Sequence, residues 1–193
     1  SDLPGVQART LAEFIKLAKS KPDALNFGSG NVTAHVAQEA FFQTAKVKLT
    51  HIPYRGSGPS VAAAVGGEVQ TLFSGPGAAI PQIKAGRLRA LAVTTATRLA
   101  AEPGIPTLAE SGVKGYEASN WFGLMAPVKT PKEIVARWNA EVGKILAAPD
   151  LKGRFLNDGL EAMGGTQEEF ARFIRAEIDK YAKVVKAAGL LLQ

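Results

Sequence analysis

The chain of 193 residues has no cysteine. Disulfide scaffolds, thiolate metal sites and thiol nucleophiles are therefore excluded, although this absence alone fixes no compartment. Histidine is almost as scarce, with His35 and His51 the only two. Neither has the HExxH spacing or the neighbouring acidic cluster that a metal centre needs, so no metal and no cofactor are expected. No G-x-S-x-G elbow occurs, and no Walker lysine follows a Gly-rich loop. Paired carboxylates at a strand end, which acid–base chemistry would require, are also missing. Glu168 and Glu169 fall in the first turn of a predicted helix, where the helix dipole stabilises them. No apolar run approaches the roughly 18 residues of a membrane span. No secretory leader pattern opens the chain, so any address sequence is expected to have been removed or never to have existed.

What is present is ordinary folded-protein material. Hydrophobic residues make up 46% and charged residues 21%, with 20 Gly and 11 Pro. Disorder and fibrous repeats do not have this composition. Lys and Arg number 23 against 17 Asp and Glu, a formal net charge of +6. The bases are interleaved with acids and no aromatic–basic stripe appears, so they read as solvated surface and no nucleic-acid partner is expected.

From Thr10 to about Gly115 the pattern alternates helix, short apolar run and Gly-rich turn. Thr10 and Glu13 have capping-box spacing ahead of Leu11, Phe14, Ile15 and Ala18 on one helical face. Short strands are predicted at Leu25–Gly28, Leu49–Pro53, Val69–Phe73 and Leu88–Thr94. Helices are predicted between them from about Thr33 to Thr44, from near Pro59 with Ser57 as a cap, and up to about Ala85. This order suggests an α/β fold, a mainly parallel sheet with flanking helices. The pattern changes at Asn120. Trp121–Ala126 reads as one further strand, and the rest is helical, opened by capping boxes at Thr130/Glu133 and Thr166/Glu169. The apolar stripes of these last helices need a cover, expected to be missing sequence or another subunit; otherwise they pack on each other and on the first half.

Chemistry is concentrated in three Gly-rich turns, each after a predicted parallel strand: Gly28-Ser29-Gly30-Asn31-Val32-Thr33, Tyr54-Arg55-Gly56-Ser57-Gly58 and Ser74-Gly75-Pro76-Gly77. Free amides at a helix start bind carboxylates or phosphates without a charged side chain. In an open parallel sheet the loops at the carboxyl ends of the strands share one rim. The first turn resembles a truncated GxGxxG, but Thr33 stands where the third Gly would be, and no acid follows at the dinucleotide distance. A plain turn with a helix cap accounts for it equally well.

Five ordered segments add to this: His51-Ile52-Pro53-Tyr54-Arg55-Gly56, Gly66-Gly67-Glu68-Val69, Ile83 through Thr94, Gly115 through Gly123, and Thr130-Pro131-Lys132-Glu133-Ile134-Val135. Together they resemble the substrate-binding receptors of tripartite tricarboxylate transporters, the Bug or TctC family. The resemblance implies a periplasmic, non-catalytic solute receptor with a type II periplasmic-binding-protein fold. It implies a small carboxylate ligand and membrane components of a tripartite transporter as partners. Residues 1–119 would be the ligand-binding second lobe. Residues 120–193 would be the crossover strand and helices of a first lobe whose N-terminal part is absent; such an incomplete lobe would favour self-association. Carried over residue by residue, the ligand-binding positions are Gly28, Ser29, Gly30, Asn31, Thr33, His35, Ser74, Gly75 and Pro76. A parallel-sheet enzyme with an anion or nucleotide loop, or the effector domain of a transcription regulator, are the alternatives.

Overall fold

The computed structural model describes residues 6, 8–157 and 159–190. The chain divides into two compact units, residues 1–120 and 121–193.

In the first unit the Thr10 hydroxyl accepts from the Glu13 amide at 3.2 Å, and the Glu13 carboxylate accepts from the Thr10 amide at the same distance. This box opens α1 (Leu11–Ser20), which buries Leu11, Phe14 and Ala18 as its spacing predicts. The elements β1 (Asn26–Ser29), α2 (Val32–Ala45), β2 (Thr50–Pro53), α3 (Ser57–Val65), β3 (Thr71–Leu72) and α4 (Pro76–Lys84) follow. The strands form one parallel sheet in the order β2-β1-β3. Two helical crossovers supply the connections that parallel neighbours require. Phe27 lies opposite His51 on one side and Thr71 on the other.

Alternation along β1 assigns its two faces. Phe27 points toward α2, with its ring 4.8 Å from that of Phe42. Gly28 points the other way, toward Ser60 of α3 and Val69. The main core lies on the Phe27 side, where α1 and α2 meet Leu25, Leu49, Leu108, Val113, Tyr116 and Ala118. Tyr116 anchors the later segment by donating its hydroxyl hydrogen to the Ala37 carbonyl at 2.7 Å.

Several expectations are corrected. Leu88–Thr94 is not a strand; only Val93 makes a parallel bridge, to Thr107. A strand exists only where a neighbour offers a row of partners, and here two backbone bonds flank Val93 and the rest of the run packs through Leu91 and Ala92. Trp121–Ala126 likewise forms no ladder among the described residues. Ser57 is the first helical residue of α3 rather than its cap, which is Gly56 at φ +107°. That left-handed value suits glycine, which has no Cβ to clash.

In the second unit lie α5 (Lys132–Ala147), α6 (Pro149–Asn157) and α7 (Gln167–Ala188). Thr166 and Glu169 form the expected capping box of α7. The Thr130/Glu133 box does not form: the N-cap of α5 is Pro131, with no side-chain bond. The helix starts one residue later than the box requires, and a prolyl N-cap has neither a side-chain acceptor for the first amides nor an N–H for Glu133 to accept from. Trp121 meets Phe170 and Phe173 edge-on, with ring centroids 5.7 and 5.3 Å apart. Among the described residues no helix is long and apolar enough to cross a membrane.

Candidate functional site

Because the three strands run parallel, their carboxyl ends, Ser29, Pro53 and Leu72, lie on one edge of the sheet. A helix begins within a few residues of each: α2 at Val32, α3 at Ser57 and α4 at Pro76. The three Gly-rich turns therefore share the rim on which their spacing in the sequence places them.

The backbone locks the turns together. Tyr54 N–H donates to Ser29 O at 2.9 Å, and Gly56 N–H donates to Gly30 O at 3.0 Å. Gly30 must be glycine, since a Cβ there would stand 2.5 Å from the Gly56 carbonyl. The third turn is tied in by Gln38, a fully buried residue of α2. Its Nε2 donates to Gly28 O at 3.0 Å, and its Oε1 accepts from Phe73 N–H at 3.0 Å. Gln38 thus spans the ends of β1 and β3. Sequence reasoning missed it; a lone polar residue among the apolar positions of a helix is the only signal it leaves.

The helix starts leave donors free. Asn31, the N-cap of α2, accepts from Ala34 N–H through its side chain at 2.8 Å. Among the described residues the amides of Val32, Thr33, Ser57, Gly58 and Gly77 have no protein acceptor. The turns contain one cation, Arg55, and no acid. Such a rim attracts an anion through oriented N–H groups and the positive ends of helix dipoles.

The predicted positions divide into two groups. Gly30, Asn31, Thr33, Ser74, Gly75 and Pro76 lie in the rim turns or first helical residues, with Asn31, Thr33 and Gly75 exposed. Gly28 is buried beneath them. Ser29 faces inward: it is 4% exposed, and its Oγ lies 2.7 Å from His51 Nε2. His35 stands one turn into α2, stacked on His51 with ring centroids 3.6 Å apart and planes 18° from parallel. Its Nε2 lies 3.6 Å from a Glu39 carboxylate oxygen. Burial lowers the His35 pKa. Burial, and then the neighbouring His35, push His51 down to about 4. Burial also raises Glu39. At neutral pH both rings are uncharged. A Ser–His contact of this kind resembles an activated nucleophile, but Ser29 is buried, at 4% exposure. No group of three or more His, Cys, Asp or Glu able to hold a metal occurs among the described residues.

Residues 3–190 match the family model of the tripartite tricarboxylate transporter family receptor. The chain belongs to this receptor family. It is 35% identical over 180 residues to the UPF0065 protein in the tcbD-tcbE intergenic region of Pseudomonas sp. (strain P51), covering 92% of this chain and 54% of that one. Among solved structures of similar proteins, R. palustris Rpa4515 with adipate superposes with a TM-score of 0.86 at 35% identity, covering 95% of this chain and 62% of the other. The periplasmic binding protein BugD gives 0.82 at 26% identity, covering 97% and 64%. MatC (Rpa3494) from Rhodopseudomonas palustris with bound malate gives 0.76 at 28%, covering 93% and 63%. The family's fold, that of periplasmic binding proteins, is thus the fold of this chain. The chain spans about half the length of the curated relative and under two thirds of each solved neighbour.

Proposed function

We propose that the chain belongs to a solute-binding receptor that captures a small carboxylate outside the cytoplasm and presents it to the membrane components of a tripartite transporter. The periplasm is its compartment. Residues 1–119 are the lobe that offers the rim, and residues 120–193 contribute the crossover and helices of the other lobe. The ligand lies over the turns that hold Gly30, Asn31, Thr33, Ser74, Gly75 and Pro76, with the open amides of Val32, Thr33, Ser57, Gly58 and Gly77 making the contacts. The observation that supports this reading is the convergence of three helix N-termini, five of whose amides lack a protein acceptor, on one edge of a parallel sheet. The adipate and malate held by two of the similar structures belong to the same chemical class.

No bond is made or broken in this mechanism. A carboxylate exchanges its water for amides that are already oriented, so little ordering entropy is lost on binding. Each helix end adds about 0.3–1 kcal/mol for an exposed anion, so three ends supply about 1–3 kcal/mol. That falls short of the roughly 4 kcal/mol of a millimolar complex, so this rim alone is expected to bind no tighter than about millimolar. The test is titration of the 193-residue chain with adipate, malate and neutral adipamide, followed through backbone amide resonances. Saturable shifts at Val32, Thr33, Ser57, Gly58 and Gly77 are expected with the acids, and at least tenfold weaker binding with adipamide. Equal binding of adipamide, or no shift at these amides, would refute the carboxylate reading. A submicromolar dissociation constant would refute the assignment to this rim alone.

A further inference from the structure

We infer that His51 is a positioning residue for the β1–α2 turn: it fixes the path of residues 30–33 by holding the residues on either side of them, and does not itself touch the solute. His51 lies in β2, opposite Phe27. Its Nε2 is 2.7 Å from Ser29 Oγ, the last residue of β1. Its ring face is covered by His35, the fourth residue of α2, at 3.6 Å between centroids. The Phe27 ring closes another side at 4.8 Å. Residues 29 and 35 bracket the turn whose Val32 and Thr33 amides are free. One side chain from another strand therefore grips the turn before and after its open amides.

The contacts differ in kind, which makes them separable. The bond to Ser29 is directional and needs a ring nitrogen in either tautomer. The stack on His35 needs only a flat ring. Ser29 is buried, so its hydroxyl cannot exchange this bond for water without opening the turn. An alternative view makes Ser29 a direct ligand group. It conflicts with the inward direction of the hydroxyl and with the contact it already makes. Placement of the turn does not depend on what binds there; the effect on affinity rests on the carboxylate reading above.

The experiment compares wild type with His51→Phe, Ser29→Ala and the double variant, using the full chain. His51→Phe keeps a ring for His35 to stack on and removes the bond to Ser29. Two readouts are taken. The first is hydrogen exchange at Ala34, His35, Tyr54 and Gly56, whose amides are bonded to Asn31, Ser29 and Gly30. At least tenfold faster exchange is expected there in each single variant, with Val61 in α3 unchanged, and the double variant no faster than either single. The second is adipate affinity, expected to fall at least tenfold in each single variant and no further in the double. A resonance of His51 Nε2 that moves in Ser29→Ala would mark the bond itself. Unchanged exchange in His51→Phe overturns the inference. So does a general acceleration that includes Val61, which marks a structural role only. So does an affinity loss in the double variant equal to the product of the singles. Local acceleration in the single variants, together with a wild type that binds no adipate, would leave the positioning role standing and overturn the carboxylate reading instead.

Discussion

Gln38 uses its whole amide in holding the rim. Its two N–H groups reach Gly28 O at 3.0 Å and Ala34 O at 3.2 Å, and its oxygen accepts from Phe73 N–H at 3.0 Å. Leucine has a similar volume but no polar atoms. Gln38→Leu is therefore expected to leave the part-buried Phe73 amide without this acceptor and to strip a donor from Gly28. Each lost partner costs about 1–3 kcal/mol, so a loss of roughly 2–4 kcal/mol should appear in urea unfolding. Gln38→Glu sets a carboxylate oxygen against the Gly28 and Ala34 carbonyls in a fully buried site and should cost at least as much at pH 7. A loss below about 0.5 kcal/mol for leucine would show that the two turns do not need this brace. The residue scale also sets a pH dependence. His51 titrates near 4 in the folded chain and at its ordinary 6.5 when unfolded. Between those values the unfolded chain takes up a proton that the folded chain refuses, so stability is full above about pH 6.5 and falls as pH drops toward 4. His35, lowered by burial, adds in the same direction. Glu39, raised by burial, opposes it at the acid end of the window. Glu110 and Glu169, both lowered by hydrogen bonds to backbone amides, act below 4.5. The melting temperature is expected to fall from pH 7 to pH 5, and His51→Phe to flatten that slope. An unchanged slope in the variant would assign the effect to other groups.

At the scale of elements, what could be read from the sequence was what short-range chemistry decides. The capping boxes at Thr10 and Thr166 mark real helix starts because cap and partner are three residues apart. β1, β2 and β3 lie where apolar runs end in glycine, and the rim follows from their parallel order. The predicted strands at 88–94 and 121–126 fail for the opposite reason. Extended, apolar sequence is necessary for a strand, but the partner lies elsewhere in the chain. The Ser29–His51 contact was illegible for the same cause: it depends on the register of β1 against β2, across 22 residues. Helix caps offer a test at this scale. Thr10→Ala removes the acceptor for Glu13 N–H and should cost about 1 kcal/mol. Thr130→Ala removes a hydroxyl that caps nothing, because Pro131 occupies the N-cap of α5, and should change stability by under about 0.3 kcal/mol. Urea midpoints of the two variants check this pair; equal losses would mean that Thr130 does cap α5.

Across the whole molecule, burial is uneven. The first unit encloses Phe14, Phe27, Phe41 and Phe42, and its sheet is packed on both faces. In the second, no residue of α5 or α7 is buried, and Phe122, Trp138 and Ile178 are 81%, 63% and 61% exposed. Helices with little tertiary burial rely on propensity, capping and local ion pairs such as Lys144–Glu141; each such pair contributes only about a few tenths of a kcal/mol. The 22 residues and two caps of α7 should preserve some helix without packing, while α5 lacks a side-chain cap. The second unit is therefore expected to open first. Both tryptophans of the chain, Trp121 and Trp138, belong to it. Tryptophan emission then reports the second unit alone, while far-ultraviolet circular dichroism sums over all helices. In urea, the emission change should precede the main loss of dichroism, and amides of α5 should exchange at least a hundredfold faster than those of α2. Local opening of this kind follows from the uneven burial and needs no special flexibility. Emission and dichroism that coincide at one midpoint would instead require the exposed stripes of α5 and α7 to be stabilised to the same degree as the phenylalanine core of the first unit.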